Sequence, residues 1–378
     1  MQHHFDKGDV GRETLRPVSP TDVGRTASPC CLEEAVFRFR LSSSIMLGMR
    51  VADIGEFGFI RRLAEVLERA GVAASPAGAA FPLIVGIGDD AAVWRTQPSL
   101  ELSTTDTMVE GVHFTRQTTP WRDVGWKVMA ANLSDIAAMG GTPLYALVTL
   151  GVPKDMEVAP MEVLYEGMAW ACKEHGAVVA GGDVVGSPVF FVTVALNGYT
   201  KETPLRRNAA RPGDLVAVSG PLGGSRGGLE LMLAGAEAPE ALRLAHRHPQ
   251  PRLKEGRILV QEGVLCAMDI SDGLYDDVGK LAAASGCAAD VDLSRVPFHS
   301  ALAHAFPGNA AEIALAGGED YELLFTAPPQ VMERVMPRLS AAVVVGKITQ
   351  GTPGSVTVLD KDGRAIPVGQ FGWDHFRS

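Results

Sequence analysis

The chain has few cysteines, no long apolar run and no excess of positive charge, and each shortage removes a class of protein. Its five cysteines, Cys30, Cys31, Cys172, Cys266 and Cys287, are odd in number and form no C-x-x-C pair. In a chain of 378 residues that usage excludes a disulfide framework and a zinc ribbon, and it points to a reduced, cytoplasmic protein. No apolar stretch approaches the roughly 18 residues of a membrane span, so no membrane partner is expected. The formal net charge of −10 argues against nucleic acid as a partner. The phosphate-cradling motif G-x-x-x-x-G-K-[ST] occurs nowhere in the chain.

A hydrophobic content of 46% is ample for the cores of two ordinary domains. Met1 to about Arg50 mixes Pro, Ser, Thr and charge without periodicity and reads as a disordered extension. Met49 is an alternative start that would make this extension an artefact. The expected organisation is an extension at 1–51, an N-terminal domain at 52–205 and a C-terminal domain at 206–378. A basic connection at 201–212, with Arg206, Arg207 and Arg211, marks the boundary. Those arginines are either solvated linker charge or a phosphate clamp.

The chain is organised around Val85 to Phe114. This stretch holds Gly86-Ile87-Gly88-Asp89-Asp90-Ala91, then Thr104-Thr105-Asp106-Thr107, then Gly111-Val112-His113-Phe114. Adjacent strands would bring these acids together, and like charges at that range repel unless a cation intervenes. Carboxylate and Thr hydroxyl oxygens suit Mg²⁺ or Ca²⁺ rather than zinc. A solvated acidic turn is the plainer reading. A dinucleotide fingerprint, G-x-G-x-x-A, fails chemically because Asp89 and Asp90 stand where a pyrophosphate would dock.

Further along, helical spacing over Phe59, Ile60, Leu63, Val66 and Leu67 predicts a helix ending at Gly71, and Trp121 to Met139 predicts the clearest helix. Asp135 shares a face there with Asn132 and reads either as a solvent-facing acid or as part of a site. Gly220 to Gly228 is a glycine-rich loop before a helix, able to cradle an anion. One pattern recurs: apolar strand, glycine, acid. It appears at Asp89/Asp90, Asp106, Asp183, Asp269/Asp272 and Glu319/Asp320. This repetition favours a shared polyacidic metal site over independent turns.

Gly55-Glu56-Phe57, Gly88-Asp89-Asp90-Ala91, Thr104-Thr105-Asp106-Thr107, Asn132-Leu133-Ser134-Asp135, Gly181-Gly182-Asp183, Asp269-Ile270-Ser271-Asp272-Gly273-Leu274 and Gly317-Gly318-Glu319-Asp320-Tyr321 occur in one order. Together they resemble the thiamine-monophosphate kinases of the aminoimidazole-ribonucleotide synthetase-like ATP-binding superfamily. The likeness runs from about Gly55 to Phe376. It implies a two-domain α+β fold. The sheet of the N-terminal α+β domain would form a barrel with a dimer mate, and the C-terminal domain would be a layered α/β unit. It also implies ATP-dependent phosphorylation of thiamine monophosphate to thiamine diphosphate in a cytoplasmic homodimer. Carried over by motif, Asp90, Thr104, Thr105, Asp106, Asp135, Asp183, Asp269 and Asp272 would hold Mg²⁺. Tyr165, Gly182, Asp183, Arg207 and Ser271 would contact ATP, and His113, Glu319 and Trp373 would contact thiamine monophosphate. Two departures stand out: Val184-Val185 replaces the usual Thr-Thr after Asp183, and Asn208-Ala209 replaces Ser-Gly after Arg207.

No catalytic nucleophile or base is expected, because the acceptor is already a phosphate oxygen and transfer needs positioning and charge neutralisation. Trp373 either stacks on the cationic substrate or plugs the C-terminal core. The alternatives are another enzyme of the superfamily, such as a selenophosphate synthetase or a hydrogenase-maturation carbamoyl dehydratase, and a nucleotide-binding protein without turnover. The first would want a reactive cysteine in a glycine-rich N-terminal loop, and the second a C-terminal cysteine; neither is present in this sequence.

Overall fold

The computed structural model describes residues 49–75, 81–85, 93–94 and 99–367. Residues 1–48 of the expected disordered extension, Asp90 and Trp373 lie outside these residues; Val51, expected in that extension, instead opens the first helix, its N–H donating to the Met156 carbonyl at 3.0 Å. The predicted first helix is α1, Val51–Ala70, which starts earlier than its apolar spacing suggests because Gly55 (φ 64) joins two helical pieces across a kink. A short hairpin follows, β1 (Leu83–Val85) with β2 (Val93–Trp94).

The first half is built on β3 (Leu100–Val109), α2 (Trp121–Ala138), β4 (Thr142–Val152), α3 (Val158–His175), β5 (Val178–Gly186) and β6 (Phe191–Thr200). Its four strands pair in the order β3-β6-β4-β5. The sheet is open in the single chain, with β3 and β5 as its opposite edges. Strand alternation turns Leu102, Met108, Val148, Val192, Val194 and Leu196 into the core. The opposite face is polar and partly exposed. On it, Thr107 faces Thr193 (2.8 Å) and the Ser103 hydroxyl donates to Asn197 (2.6 Å).

α2 does not behave as an amphipathic surface helix. Fourteen of its 18 residues are buried. It packs against α3, the four-stranded sheet, and β8 (Cys266–Asp269) and α6 (Leu253–Gln261) of the second half. The α2–α3 crossing is made close by two glycines. A Cβ on Gly125 would sit 1.9 Å from the Leu164 carbonyl oxygen, and one on Gly167 would sit 1.9 Å from that of Arg122.

The second half adds β7 (Leu215–Val218), α4 (Gly224–Leu233), α5 (Glu240–Arg247), α7 (Leu274–Ala284), β9 (Ala288–Asp292), α8 (Ser300–Ala305) and α9 (Ala310–Ala316). It ends with β10 (Leu323–Ala327), α10 (Pro329–Val335), β11 (Val343–Thr349), β12 (Val356–Leu359) and β13 (Ala365–Ile366). Its seven strands run β13-β12-β9-β11-β7-β10-β8, antiparallel except where β12 meets β9. Both faces are covered. Ala217, Ala267, Leu323 and Phe325 join the core that contains α2, while Val216, Val218, Met268 and Leu324 pack with α7 and α9. Among the described residues no helix is long and apolar enough to cross a membrane.

Gly167→Ala forces a backbone shift at the α2–α3 crossing. It is expected to destabilise the protein by about 1–3 kcal/mol, read as a lowered thermal midpoint. An unchanged midpoint would mean that the two helices separate at no cost.

Candidate active site

Two segments from opposite halves meet at α2. β3 supplies Thr104 and Asp106 on its inward face. α2 supplies Ser134 and Asp135, and β8 ends in Asp269. The Thr104 hydroxyl donates to Asp135, Asp106 and Asp135 share a side-chain hydrogen bond, and the Ser134 hydroxyl donates to Asp269 at 2.8 Å. Asp269 is 5% exposed. Burial, then the charge of Asp135, pushes Asp269 up to about 7, and the same two causes push Asp106 up to about 6. Burial also raises Asp135, opposed by its hydrogen bonds and by the Arg207 guanidinium. All three carboxylates are made more basic first of all by burial, and Asp106 and Asp269 further by the charge of Asp135.

Beside them opens a cavity of about 980 Å³, lined from both halves by Asp106, His113, Arg226, Ser271, Asp272 and Glu319. The His113 ring accepts from the Val109 N–H (3.1 Å). Ser271 and Asp272 open the turn into α7, where both backbone N–H groups donate to Asp277 at 3.0 Å. The Asp272 carboxylate is engaged by Lys280, which also bonds Asp277 at 2.8 Å.

Several expected residues are not gathered with this group. Asp183 and Gly182 lie on β5 while Asp106 lies on β3, the opposite edge of the sheet. The register runs Asp106, Val194, Val148, Gly182 across the strands. Three strand spacings of roughly 4.8 Å place them about 14 Å apart. Gly182 is required where it stands, since a Cβ there would meet the Val148 carbonyl oxygen at 1.8 Å. Thr105 alternates to the exposed face of β3 and lines the cavity without touching the Asp106–Asp135 pair. Tyr165 is 5% exposed inside α3, in the first-half core, and does not line the cavity, because its helix turns that face against α2 and the sheet. Among the described residues no three His, Cys, Asp or Glu side chains are gathered closely enough to hold a metal ion. The acids instead bond to one another, to Ser134 and to Lys280.

The glycine-rich turn at 220–228 is an anion cradle already filled by the chain itself. The Gly223 and Ser225 N–H groups donate to Asp320 at 2.6 and 3.1 Å. Burial pushes Asp320 up to about 7.

One functional-looking residue gave no sequence signal beyond being a lysine amid apolar neighbours. Lys127, on α2, is 1% exposed and pairs with Glu319 at 2.9 Å. His246 of α5, also buried, sits 3.3 Å from the Lys127 ammonium and 3.1 Å from the Ser225 hydroxyl.

The arrangement belongs to a recognisable class. Residues 88–200 match the N-terminal domain, and residues 211–359 the C-terminal domain, of the AIR synthase related proteins. The chain is 37% identical to the thiamine-monophosphate kinase of Aquifex aeolicus (strain VF5), over 87% of this chain and all of that one. Among solved structures, AaThiL complexed with AMPPCP and TMP is 34% identical with a TM-score of 0.67, covering 87% of this chain and 100% of that one. The thiamine-monophosphate kinase from Stenotrophomonas maltophilia K279a is 33% identical with a TM-score of 0.71, covering 81% and 97%. The chain belongs to the thiamine-monophosphate kinase family.

The strained acids have a measurable signature. Asp269 keeps its proton to about pH 7 when folded but loses it near the ordinary value of 3.8 when unfolded. Folding therefore takes up a proton between those values, and this residue's contribution to stability falls as pH rises through them. In EDTA at pH 8, Asp269→Asn is expected to melt above the parent, with the advantage vanishing toward pH 4. A variant uniformly less stable from pH 4 to 8 would contradict the desolvated carboxylate.

Proposed function

We propose that the chain transfers the γ-phosphoryl group of ATP to the phosphate of thiamine monophosphate, giving thiamine diphosphate and ADP. The observation that carries this reading is the set of desolvated acids, Asp106, Asp135 and Asp269, placed beside a two-sided cavity in a member of this family. Mg²⁺ fits the donor set. The groups are hard oxygens, and burial with the charge of Asp135 raises Asp106, a cost that a cation would relieve. Asp106 and Asp135, with Thr104, would hold it, and Asp269 would join by drawing closer than it stands here, with Asp272 in competition with Lys280; Asp90, Thr105 and Asp183 are assigned by resemblance. Once bound, Mg²⁺ supplies neutralisation of the phosphate charges.

The protein's own groups position the reactants. Arg207, within charge range of Asp135, would meet nucleotide phosphate, and the Ser271 turn and the Gly182 backbone would be further ATP contacts, as the family likeness suggests. His113 and Glu319 line the cavity as acceptor contacts, and Trp373 is assigned to the same role. An acceptor phosphate oxygen bonds to the γ-phosphorus as the bond to the ADP oxygen breaks. No proton must move, so no side chain needs to act as base or nucleophile.

The dimer and the cytoplasm belong to the same proposal. The described cysteines, Cys172, Cys266 and Cys287, are free and buried, which suits a reducing compartment. The polar sheet face and the two free edges suit pairing with a second copy. Contact between the β5 edge of one copy and the β3 edge of another would bring Asp183 nearer to the acids of β3 than the width of one sheet allows.

Incubation with ATP, Mg²⁺ and thiamine monophosphate is expected to yield thiamine diphosphate one-to-one with ADP, and none from free thiamine. ATP binding without that product would favour another acceptor or a non-catalytic role. Asp106→Asn is expected to lower kcat at least about 100-fold with the fold intact; a loss within tenfold, about 1.4 kcal/mol, would remove the metal role. If the edges meet as described, mixing inactive Asp106→Asn and Asp183→Asn chains after co-expression should restore about a quarter of parental activity, from the one intact site of each mixed dimer. No recovery would place both acids in sites within one chain.

A further inference from the structure

Glu319 is the most constrained residue of the cavity wall. Its backbone is left-handed (φ 63), as is that of Tyr321 (φ 52), a conformation that is uncommon for residues with a side chain. Each residue from 319 to 321 is tied down. The Glu319 N–H donates to the Ser271 carbonyl at 2.9 Å, Asp320 caps α4, and the Tyr321 N–H donates to the Ile270 carbonyl at 3.0 Å. All of these anchors belong to the second half of the chain. The carboxylate of Glu319 alone is held from the first half, by Lys127.

A buried ammonium is costly unless paired, and apolar side chains in place of a whole buried pair are often as stable, whereas removing one partner alone strands the other. On α2, Lys127 stands among buried residues, and its ammonium meets Glu319 and His246. A lysine there needs a reason beyond packing. Lys127 and Asp135 are eight residues apart on the same helix, a rise of about 12 Å. One rigid helix therefore fixes the spacing between the phosphoryl-transfer acids and the ammonium that aims Glu319.

We propose that Lys127 is a positioning residue, fixing the Glu319 carboxylate, across the junction of the two halves, as the recognition group for the acceptor. The inference rests on the reading of Glu319 as an acceptor contact. His246 completes the enclosure. Its ring lies 3.3 Å from the ammonium and is held by the Ser225 hydroxyl at 3.1 Å, and its Nδ1 stands 3.7 Å from the Glu319 carboxylate, farther than the 2.9 Å of the lysine.

The test is a double-mutant cycle with Lys127→Met and Glu319→Gln, measuring KM for thiamine monophosphate, KM for ATP and the melting temperature. Lys127→Met is expected, whatever its melting temperature, to raise KM for thiamine monophosphate about tenfold or more and to change KM for ATP less than about twofold. The double variant should be no worse than Glu319→Gln alone, because residues acting as one unit are not additive. A merely structural lysine would leave KM for thiamine monophosphate unchanged or shift both KM values together, and additive effects would equally overturn the proposal. Should Lys127→Met fail to fold, Lys127→Arg, which keeps the charge but moves the donor, carries the same comparison. If Glu319→Gln alone leaves KM for thiamine monophosphate unchanged, the acceptor reading of Glu319 fails. If Glu319→Gln is impaired and the Lys127 variant is not, only the positioning role fails.

Discussion

A helix with fourteen of its 18 residues buried has little tolerance for charge, yet α2 carries Lys127 at 1% exposure and Asp135 next to the buried Ser134. Each charge needs a partner brought to it by another part of the chain, because desolvating an ion without one costs several kcal/mol. The partners come from both directions: Thr104 and Asp106 from β3, Asp269 by way of Ser134 from β8, Glu319 from the turn before β10. The two halves are therefore registered on one another through α2, and the 125/167 glycine crossing presses α3 onto it closely enough to leave no slack. Placement of the site follows from satisfying this one helix.

The acids in and around the recurrent motifs fall into two populations. Asp277 receives two backbone N–H groups and Lys280, Asp320 receives two N–H groups at the start of α4, and the buried Glu322 is held by Arg252 (2.8 Å). These acids have strong donors of their own, and their chemistry is structural. Asp106 and Asp135 have one another, Thr104 and a distant guanidinium, and Asp269 has one serine. The number of donors around each carboxylate, rather than its exposure, separates acids that hold the fold from acids left able to take a ligand.

That separation explains what was legible in the sequence. Helical spacing located α2 and the later part of α1, and the strand that ends in Asp269 was visible from its apolar run. The acids at 106 and 269 stood out as strand-end acids in a recurring pattern, whereas Asp135, on a helix, read equally as a solvent-facing acid and was joined to the site only by the family likeness. Donor supply was not legible. Nothing near Asp320 in the sequence reveals that the N–H groups of Gly223 and Ser225, almost a hundred residues earlier, would occupy it. Strand order was equally hidden: Asp106 and Asp183 look alike in their motifs but sit on opposite edges of one sheet. Tyr165 shares its helix with apolar neighbours, and only packing against α2 decides that it lies in the core. The short strands β12 and β13 carry too few residues to show a period.

Charge balance in the cavity bears on how two polyanions are accommodated. Asp106, Glu230, Asp272, Glu312 and Glu319 all line it, and its lining cation Arg226 is paired with Glu230 at 2.7 Å. Lys280 is committed to Asp272 and Asp277, and Lys127 to Glu319. Two phosphate groups brought within a few ångströms in such surroundings repel by several kcal/mol even at the dielectric of a protein surface. Arg207, exposed and within charge range of Asp135, offsets only part of that. The remaining positive charge has to arrive with the nucleotide. With every other cation of the cavity already committed to a carboxylate, counter-charge for the phosphates is the scarce quantity of this site, and it sets how closely two phosphates can approach there.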